Sequence, residues 1–339
     1  MKKYSEIQNS RIILRNSIPL NTPLGLFIDP TNMCNFKCRF CPRNSKDFSQ
    51  YAGQYCHMDR RLFEKIIDDL QEFPENIKNV RLYYLGEPFL CPDFLLMLKM
   101  LSDGHVTSHI EITTNGSMLT NENAEQLLEI ASAFNGDIYL RFSIYSVIQN
   151  KHQDITKSGI AIERIHENIK FLYGLKEKKH IKNVFLYAKM IDSYGEENSK
   201  FLRYYYDVVD EASIEEPMNW SGFNEKNLLE DSYTEPQLKI INSATIDRSM
   251  ACSYPFTTMA ILSDGKVVCC CVDWSRQTYI GDVTKNSLLE IWNGDALKQI
   301  RTLHLLGKRG ENPACLHCNR LPQYDEDDLS GLSPTVLNY

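Results

Sequence analysis

The residues best suited to chemistry are three cysteines near the start of the chain. Cys34, Cys38 and Cys41 have the spacing C-x3-C-x2-C, so their thiolates can reach one face of a small inorganic cluster. Three protein thiolates on a [4Fe–4S] cube leave one iron open to another ligand. A zinc knuckle or unrelated buried cysteines are the alternatives, but no histidine stands nearby as a fourth zinc ligand. The spacing therefore predicts a cluster with one open iron.

A second group of cysteines lies towards the other end of the chain. Cys252, Cys270, Cys315 and Cys318 follow the spacing C-x17-C-x44-C-x2-C, and Cys270 is the middle of a cysteine run at 269–271. Four thiolates can close either an iron–sulfur cluster or a tetrahedral zinc site. If the run lies in a strand, Cys270 points one way and its two neighbours point the other.

Bulk properties narrow the class of protein. The chain has 339 residues, and its net charge of −7 comes without a basic block, so nucleic acid and anionic membranes are unexpected partners. No signal peptide and no apolar run long enough for a membrane span are visible. Eleven cysteines then favour metal ligation over disulfides, because the cytosol keeps thiols reduced. A cytoplasmic location is expected.

Short apolar strands alternate with amphipathic helices through the first two thirds of the chain. Strands are expected at 24–29, 80–85, 110–114, 138–144, 184–191 and 213–220, with helices after Asp59 and at 94–101, 124–130, 160–172, 201–208 and 236–241. Six consecutive βα units predict an α/β fold with a parallel sheet, built as a partial (βα)6 TIM-like barrel. An open doubly wound sheet is the alternative. In both folds the first cysteine loop lies at the carboxyl ends of the strands, where the active site is expected.

The pattern changes after residue 222. Residues 223–250 are polar and are expected to connect the barrel at 24–222 to a small module at 251–319. In that module, strands at 256–262 and 266–272 flank Ser263-Asp264-Gly265 as a β-hairpin, and a short helix is expected at 287–292. Residues 1–23 are expected to be an N-terminal extension, and residues 320–339 an acidic tail.

The strand ends together resemble the radical SAM superfamily. The three-cysteine loop, with Phe40 before its last cysteine, is similar to that family's cluster loop. The resemblance implies that S-adenosylmethionine (SAM) binds the open iron and is cleaved to a 5′-deoxyadenosyl radical. The residues that it implies for cofactor binding are Gly86, Glu87 and Pro88 around the SAM ammonium, Thr114 and Asn115 after the third strand, Ser143 at the ribose, and Lys189 near the adenine.

The second cysteine group resembles the SPASM/twitch module that follows many radical SAM domains. The resemblance implies a second [4Fe–4S] cluster held by Cys252, Cys270, Cys315 and Cys318, with a four-thiolate zinc site as the alternative. Cys270 is preferred as the ligand because it best matches the family spacing. Cys269 and Cys271 then remain as buried thiols or as candidate hydrogen-atom donors.

This resemblance predicts a radical SAM oxidoreductase. The 5′-deoxyadenosyl radical would abstract hydrogen from a substrate C–H, and the second cluster would accept an electron from the substrate radical. A sugar or aminocyclitol alcohol is the expected substrate, and flavodoxin or ferredoxin the expected reductant. The alternatives are a sugar epimerase with a cysteine hydrogen donor, and a peptide-modifying enzyme, for which residues 1–23 are short to bind a leader. A two-cluster electron carrier is also conceivable, but it needs no open iron.

Overall fold

The computed structural model describes residues 12–45, 48–217, 234–235, 237, 247, 249–316, 318 and 324–337. The predicted connection at 223–250, the predicted helix at 236–241 and the end of the predicted sixth strand lie largely outside these residues. Within the described ranges, no helix is both long and apolar enough to cross a membrane.

A single sheet runs through the described residues. Its strands are β1 (Gly25–Ile28), β2 (Asn79–Arg81), β3 (His109–Thr114), β4 (Asp137–Ile144), β5 (Val184–Ile191), β6 (Glu211–Glu215), β7 (Thr258–Ile261), β8 (Lys266–Val268) and β9 (Tyr279–Asp282). The order across the sheet is β6-β5-β4-β3-β2-β1-β7-β8-β9, and β1 to β6 are all parallel. Because β1 to β6 follow one another without a reversal, the partial barrel is confirmed and the doubly wound alternative is wrong.

Helices cover the sheet because their apolar side chains recur at helical spacing. The main helices after successive strands are Arg60–Gln71, Phe94–Asp103, Asn121–Ala133, Gln149–Thr156, Ile162–Lys178 and Glu197–Tyr205. The first begins at Asp59, whose carboxylate accepts hydrogen bonds from the backbone amides of Arg61 and Leu62, as the sequence predicts. Its buried side chains, including Phe63 and Ile66, pack into the core.

Two differences from the sequence prediction concern the surroundings of the first cysteine loop. β2 ends at Arg81 instead of reaching residue 85, because the chain beyond it turns to pack against the first cysteine loop. The helix Gln149–Thr156 was not predicted, since it buries only His152 and Thr156 and therefore has no apolar periodicity. This helix matters because it holds the cysteine loop, as described below.

The C-terminal module continues the same sheet instead of forming a separate one. β7 pairs in parallel with β1, and β7, β8 and β9 then pair antiparallel. The predicted hairpin is present, with Gly265 at φ +84°, a conformation that favours glycine. However, β8 ends at Val268 instead of 272, so residues 269–271 lie beyond the strand. The expected alternation of the three cysteines therefore does not apply.

Further helices complete the module. They are Tyr254–Thr257, Leu288–Trp292, Asp295–Leu305 and Pro313–Leu316. The helix Leu288–Trp292 matches the predicted one and begins with a capping box between Ser287 and Glu290.

Candidate active site and second cysteine site

The first cysteine loop leaves β1 at the carboxyl edge of the sheet. Its backbone is fixed from outside the barrel, because the amides of Lys37 and Arg39 donate hydrogen bonds of 2.8 and 3.0 Å to the carbonyls of Thr156 and Ile155. These carbonyls end the helix Gln149–Thr156. The loop is therefore held in shape by an element that the sequence prediction missed.

The three thiols of this loop lie close enough to repel one another as thiolates. Burial raises the pKa of Cys34 to about 11, and the pKa of Cys38 is also raised by burial and by the charges of Cys41 and Cys34. Tyr145, whose ring lies 5.1 Å from that of Phe40, donates a hydrogen bond to Cys38. Three converging, poorly solvated thiols suit a polynuclear cation, so the loop fits a cluster.

Gly86 allows the end of β2 to touch the cysteine loop. A Cβ atom here would lie 1.9 Å from the carbonyl oxygen of Thr31 and 2.6 Å from that of Met33, which no side chain could tolerate. The next amide, that of Glu87, donates a 2.8 Å hydrogen bond to the Met33 carbonyl. Pro88 is buried and opens a short 3-10 turn. The segment Gly86-Glu87-Pro88 thus packs against the first cysteine loop.

The Glu87 carboxylate ties β2 to β3. Its oxygens accept hydrogen bonds from the Thr114 hydroxyl at 2.6 Å, the Asn115 amide at 2.7 Å and the Phe89 amide at 3.3 Å. Burial raises its pKa to about 7, although these hydrogen bonds act in the opposite direction. The Asn115 side chain in turn donates to the side-chain oxygen of Asn35 at 2.9 Å. Glu87 and Asn115 therefore brace the loop.

Ser143 and Lys189 are neighbours on β4 and β5. They face each other in the strand register, as the expected ribose and adenine contacts would. Lys189 also forms a 2.9 Å ion pair with Glu215 on β6. Burial lowers the pKa of Lys189, with the Arg141 charge adding to the effect.

A network of charged side chains, which the sequence reading missed, lies along the inner face of the sheet. Arg141 on β4 pairs with Glu111 at 2.7 Å and with Glu215 at 2.9 Å. Glu111 is buried, and the charges of Arg141 and Arg81 hold its pKa below the usual range despite its desolvation. The Tyr83 hydroxyl donates to Glu111 at 2.8 Å. The barrel interior is therefore polar near these strand ends.

Two further polar groups lie beyond the ends of β1 and β2. The Asp29 carboxylate is buried near the backbone amides of Leu85 and Gly86, which favour its charged form. The hydroxyl of Tyr84 is buried without a hydrogen-bond partner among the described residues. Burial raises the pKa of Asp29 to about 8. The pKa of Tyr84 is raised by burial and then by the charges of Asp273, Cys270 and Cys271, so Tyr84 reaches the second site. Tyr84 and Cys271 both pack against the cluster of Phe27 on β1, the strand that leads into the first loop.

The second site is a cavity of about 40 Å³. Five thiols line it, those of Cys252, Cys269, Cys270, Cys315 and Cys318. The set of thiols is therefore larger by one than the expected set of four, because Cys269 joins it. Cys269 and Cys270 share the cavity instead of pointing apart.

Cys271 does not line that cavity, but its thiol is hydrogen bonded to the thiol of Cys270, which does. Cys271 also packs against the cluster of Phe27 and Leu262 on the inner face of the sheet. The structure thus gives different surroundings to the two cysteines that the sequence treated alike, Cys269 and Cys271.

The donor spacing bears on the zinc alternative. No three His, Cys, Asp or Glu side chains in the described ranges converge on a point suited to one metal ion. Thiolates around a [4Fe–4S] cube stand further apart than those around a single zinc ion, since each binds a different iron. The donors that line the cavity are mainly thiols, which is the donor set that an iron–sulfur cluster takes.

Comparison with protein families gives two matches. The radical SAM superfamily matches residues 28–186, and the SPASM iron–sulfur cluster-binding domain matches residues 252–319. These ranges contain the first and the second cysteine sites respectively.

Similar sequences differ in how much of the chain they cover. The S-adenosyl-L-methionine-dependent 2-deoxy-scyllo-inosamine dehydrogenase of Niallia circulans is 21% identical over 300 residues, 88% of this chain and 94% of that protein. The tungsten-containing aldehyde ferredoxin oxidoreductase cofactor-modifying protein of Pyrococcus furiosus is 28% identical over 151 residues. This match covers 43% of this chain and only 38% of that protein.

Similar solved structures show the same fold. BtrN in complex with AdoMet and 2-DOIA has a TM-score of 0.55 at 17% identity, over 90% of this chain and 98% of that one. anSMEcpe with AdoMet and the Cp18Cys peptide has a TM-score of 0.59 at 15% identity, over 82% of each chain. Streptococcus suis SuiB bound to precursor peptide SuiA has a TM-score of 0.58 at 16% identity, over 89% of this chain and 72% of that one.

Proposed function

We propose that this chain, which belongs to the radical SAM superfamily and carries a C-terminal SPASM domain, oxidises an alcohol carbon of a sugar or an aminocyclitol. When bound, SAM and the first cluster supply a 5′-deoxyadenosyl radical, and the second cluster supplies an electron acceptor. The substrate CH–OH would lose a hydrogen atom to that radical, one electron to the second cluster and one proton to a base. The product is then a carbonyl group, because the substrate has lost two electrons and two protons in total.

The pairing of the barrel with the C-terminal module carries this proposal. The strand that leads into the first loop, β1, pairs directly with β7 of the C-terminal module. Tyr84, at the end of β2, stands close enough to Cys270 and Cys271 for their charges to raise its pKa after burial. A substrate held at this edge of the sheet lies beside both sites, as a hydrogen abstraction followed by electron transfer requires.

The substrate class rests on two observations. The dehydrogenase of Niallia circulans, named for an aminocyclitol, aligns along most of both chains. The inner face near the strand ends also presents partly exposed charged groups, those of Lys189, Arg141 and Glu215. Such groups suit a molecule rich in hydroxyl groups.

The residue roles belong to the same proposal. Cys34, Cys38 and Cys41 would hold the first cluster, and Phe40 would pack beside it. Around SAM, Gly86, Glu87, Pro88, Thr114, Asn115, Ser143 and Lys189 would bind or position the cofactor. Cys252, Cys270, Cys315 and Cys318 would hold the second cluster, with Cys269 as an additional thiol.

The reductant, the cellular location and the domain boundaries are also part of the proposal. The reductant would be flavodoxin or ferredoxin, and the location the cytoplasm. The barrel would occupy residues 24–222 and the second module residues 251–319, joined by 223–250 and flanked by the extension at 1–23 and the tail at 320–339.

The experiment is an anaerobic incubation of reconstituted protein with SAM, dithionite and a panel of aminocyclitols, sugars and nucleotide sugars. One substrate carrying deuterium at the reacting carbon should transfer that label to 5′-deoxyadenosine and yield a carbonyl product in equal amount. Formation of 5′-deoxyadenosine without any oxidised product across the panel would contradict the proposal.

Epimerisation is the second candidate, because of the position of Cys271. This thiol lies on the inner face with Phe27 and Tyr84, where a substrate carbon could receive a hydrogen atom from it. In deuterated water an epimerase would place solvent deuterium in the product carbon, whereas a dehydrogenase would not. Peptide modification remains a third possibility, which a peptide library in the same assay tests.

A further inference from the structure

Arg309 is a buried cation beside the second cysteine site. It is 1% exposed and lines the same cavity as the five thiols. Its Nε and Nη2 atoms have no hydrogen-bond partner in the described part of the chain. A buried guanidinium without partners is costly unless an anion compensates it.

Other charged groups of the cavity do not supply that anion. Asp273 already accepts hydrogen bonds from Ser275 and Thr278. His304 does not supply it either, because it is a neutral imidazole. Its Nδ1 accepts the Cys252 amide at 3.1 Å, so its proton is on Nε2, which lies 3.7 Å from the Cys315 sulfur.

The thiols are the anionic candidates that share the cavity with Arg309. The Asp247 carboxylate also feels the Arg309 charge, but Asp247 is exposed and does not line the cavity. A [4Fe–4S] cluster with four thiolates carries a net negative charge, which becomes more negative on reduction. Arg309 therefore favours the reduced cluster over the oxidised one.

Arg301 offers a contrast in the same module. It is 2% exposed, yet it donates to the carbonyls of Pro255 and Trp292 and stacks 4.2 Å above the Trp292 ring. Stacking on Trp292 and hydrogen bonds to backbone carbonyls therefore account for the burial of Arg301. The Nε and Nη2 atoms of Arg309 have no such partners among the described residues, and Arg309 lines the cavity of the thiols.

We propose that Arg309 is a positioning residue that sets the second cluster to a raised reduction potential, which makes that cluster an electron acceptor for the substrate radical. The His304 Nε2–H acts in the same direction by donating to the Cys315 sulfur. The inference rests on the proposed function to the extent that the second cysteine group holds a cluster. It explains why a cluster placed beside the substrate takes an electron instead of giving one.

The test measures the reduction potential of the second cluster by redox titration followed by EPR. The background protein carries Cys34→Ala, Cys38→Ala and Cys41→Ala, so that only the second cluster is present. Arg309→Met should make the potential more negative, on the order of a tenfold change in the reduction equilibrium, about 59 mV for one electron. Arg309→Lys keeps the charge and should retain a potential near that of the background.

Arg301→Met is the matched control, because it removes a buried arginine that does not face the thiols. It should leave the potential unchanged. An unchanged potential in Arg309→Met, or an equal drop in Arg309→Lys, would overturn the inference. Arg309→Gln replaces Arg309→Met if the latter fails to take up iron. Because the assay needs neither SAM nor substrate, an unchanged potential refutes the role of Arg309 alone, whereas a missing carbonyl product refutes the reaction.

Discussion

The backbone of Gly86 is packed against the carbonyl oxygen of Thr31, 1.9 Å from the place where a Cβ atom would be. This contact joins the end of β2 to the start of the first cysteine loop. Neither backbone can withdraw easily, because the Glu87 amide is hydrogen bonded to Met33 in the same loop.

Gly86→Ala should displace the first loop. We expect a loss of stability of about 1–3 kcal/mol, as for overpacked sites, and little SAM cleavage. The measurement is thermal unfolding together with the yield of 5′-deoxyadenosine. Gly174→Ala is the control, since nothing lies within 4 Å of its Cβ position in the helix Ile162–Lys178. Wild-type cleavage by Gly86→Ala would refute the role of this contact.

Asp29 should make stability depend on pH. Burial raises its folded pKa from 3.8 to about 8, so the folded chain keeps a proton that the unfolded chain has lost. The contribution of protonated Asp29 to the free energy of unfolding is complete below pH 3.8 and is lost as the pH rises towards 8. Asp29→Asn should therefore gain stability over wild type between pH 5 and pH 8, on the order of a few kcal/mol.

Asp154→Asn is the matched control for this pH dependence. A hydrogen bond from Lys157, with the Arg39 charge assisting, lowers the pKa of the exposed Asp154. Its stabilising contribution is present above the unfolded pKa and is lost as the pH falls. Melting curves at pH 5 and pH 8 should not show the Asp29→Asn gain in this variant. Parallel pH profiles for wild type and Asp29→Asn would refute the assignment.

Glu111 and Arg141 should behave as a buried pair. Glu111→Ala leaves the Arg141 charge without its closest partner and should destabilise the chain by about 3–5 kcal/mol. Replacing both, as Glu111→Leu with Arg141→Met, should cost less than the single change. Denaturant unfolding of the three variants gives the comparison, and a double variant less stable than the single one would contradict it.

Cys271→Ala separates oxidation from epimerisation. Because Cys271 does not line the cavity of the other thiols, although it is hydrogen bonded to Cys270, its loss should leave the second cluster and the carbonyl product intact. Cys270→Ala, by contrast, should abolish the carbonyl product. If Cys271→Ala instead stops turnover and deuterated water labels the wild-type product, the enzyme is an epimerase.

Several elements around the first site could be predicted because each depends on neighbouring residues. The helix Gln149–Thr156, which holds the loop, could not, because it has no apolar periodicity. Asp59 caps its helix locally, and the apolar faces of the helices recur at short spacing. The pairing of β7 with β1 could not be predicted, because it joins residues more than two hundred positions apart and no sequence pattern specifies it.

The second site was predicted in outline and missed in detail. The cysteine spacing singled out four thiols that the structure places in one cavity, but the end of β8 at Val268 decides how residues 269–271 point. There Asp273 accepts the Thr278 amide and turns the chain. Arg309 gave no signal in the sequence, because a single arginine in a polar stretch is indistinguishable from a solvated one until its burial is known.

Iron and zinc content per chain tests the central claim of two clusters on one sheet most directly. After anaerobic reconstitution, wild type should hold about eight irons. The variant with Cys34, Cys38 and Cys41 changed to Ala should hold about four, and so should the variant with Cys252, Cys315 and Cys318 changed to Ala. The variant with Cys34, Cys38 and Cys41 changed to Ala is the decisive one. Zinc instead of iron in that variant, or the absence of iron from it, would contradict the account.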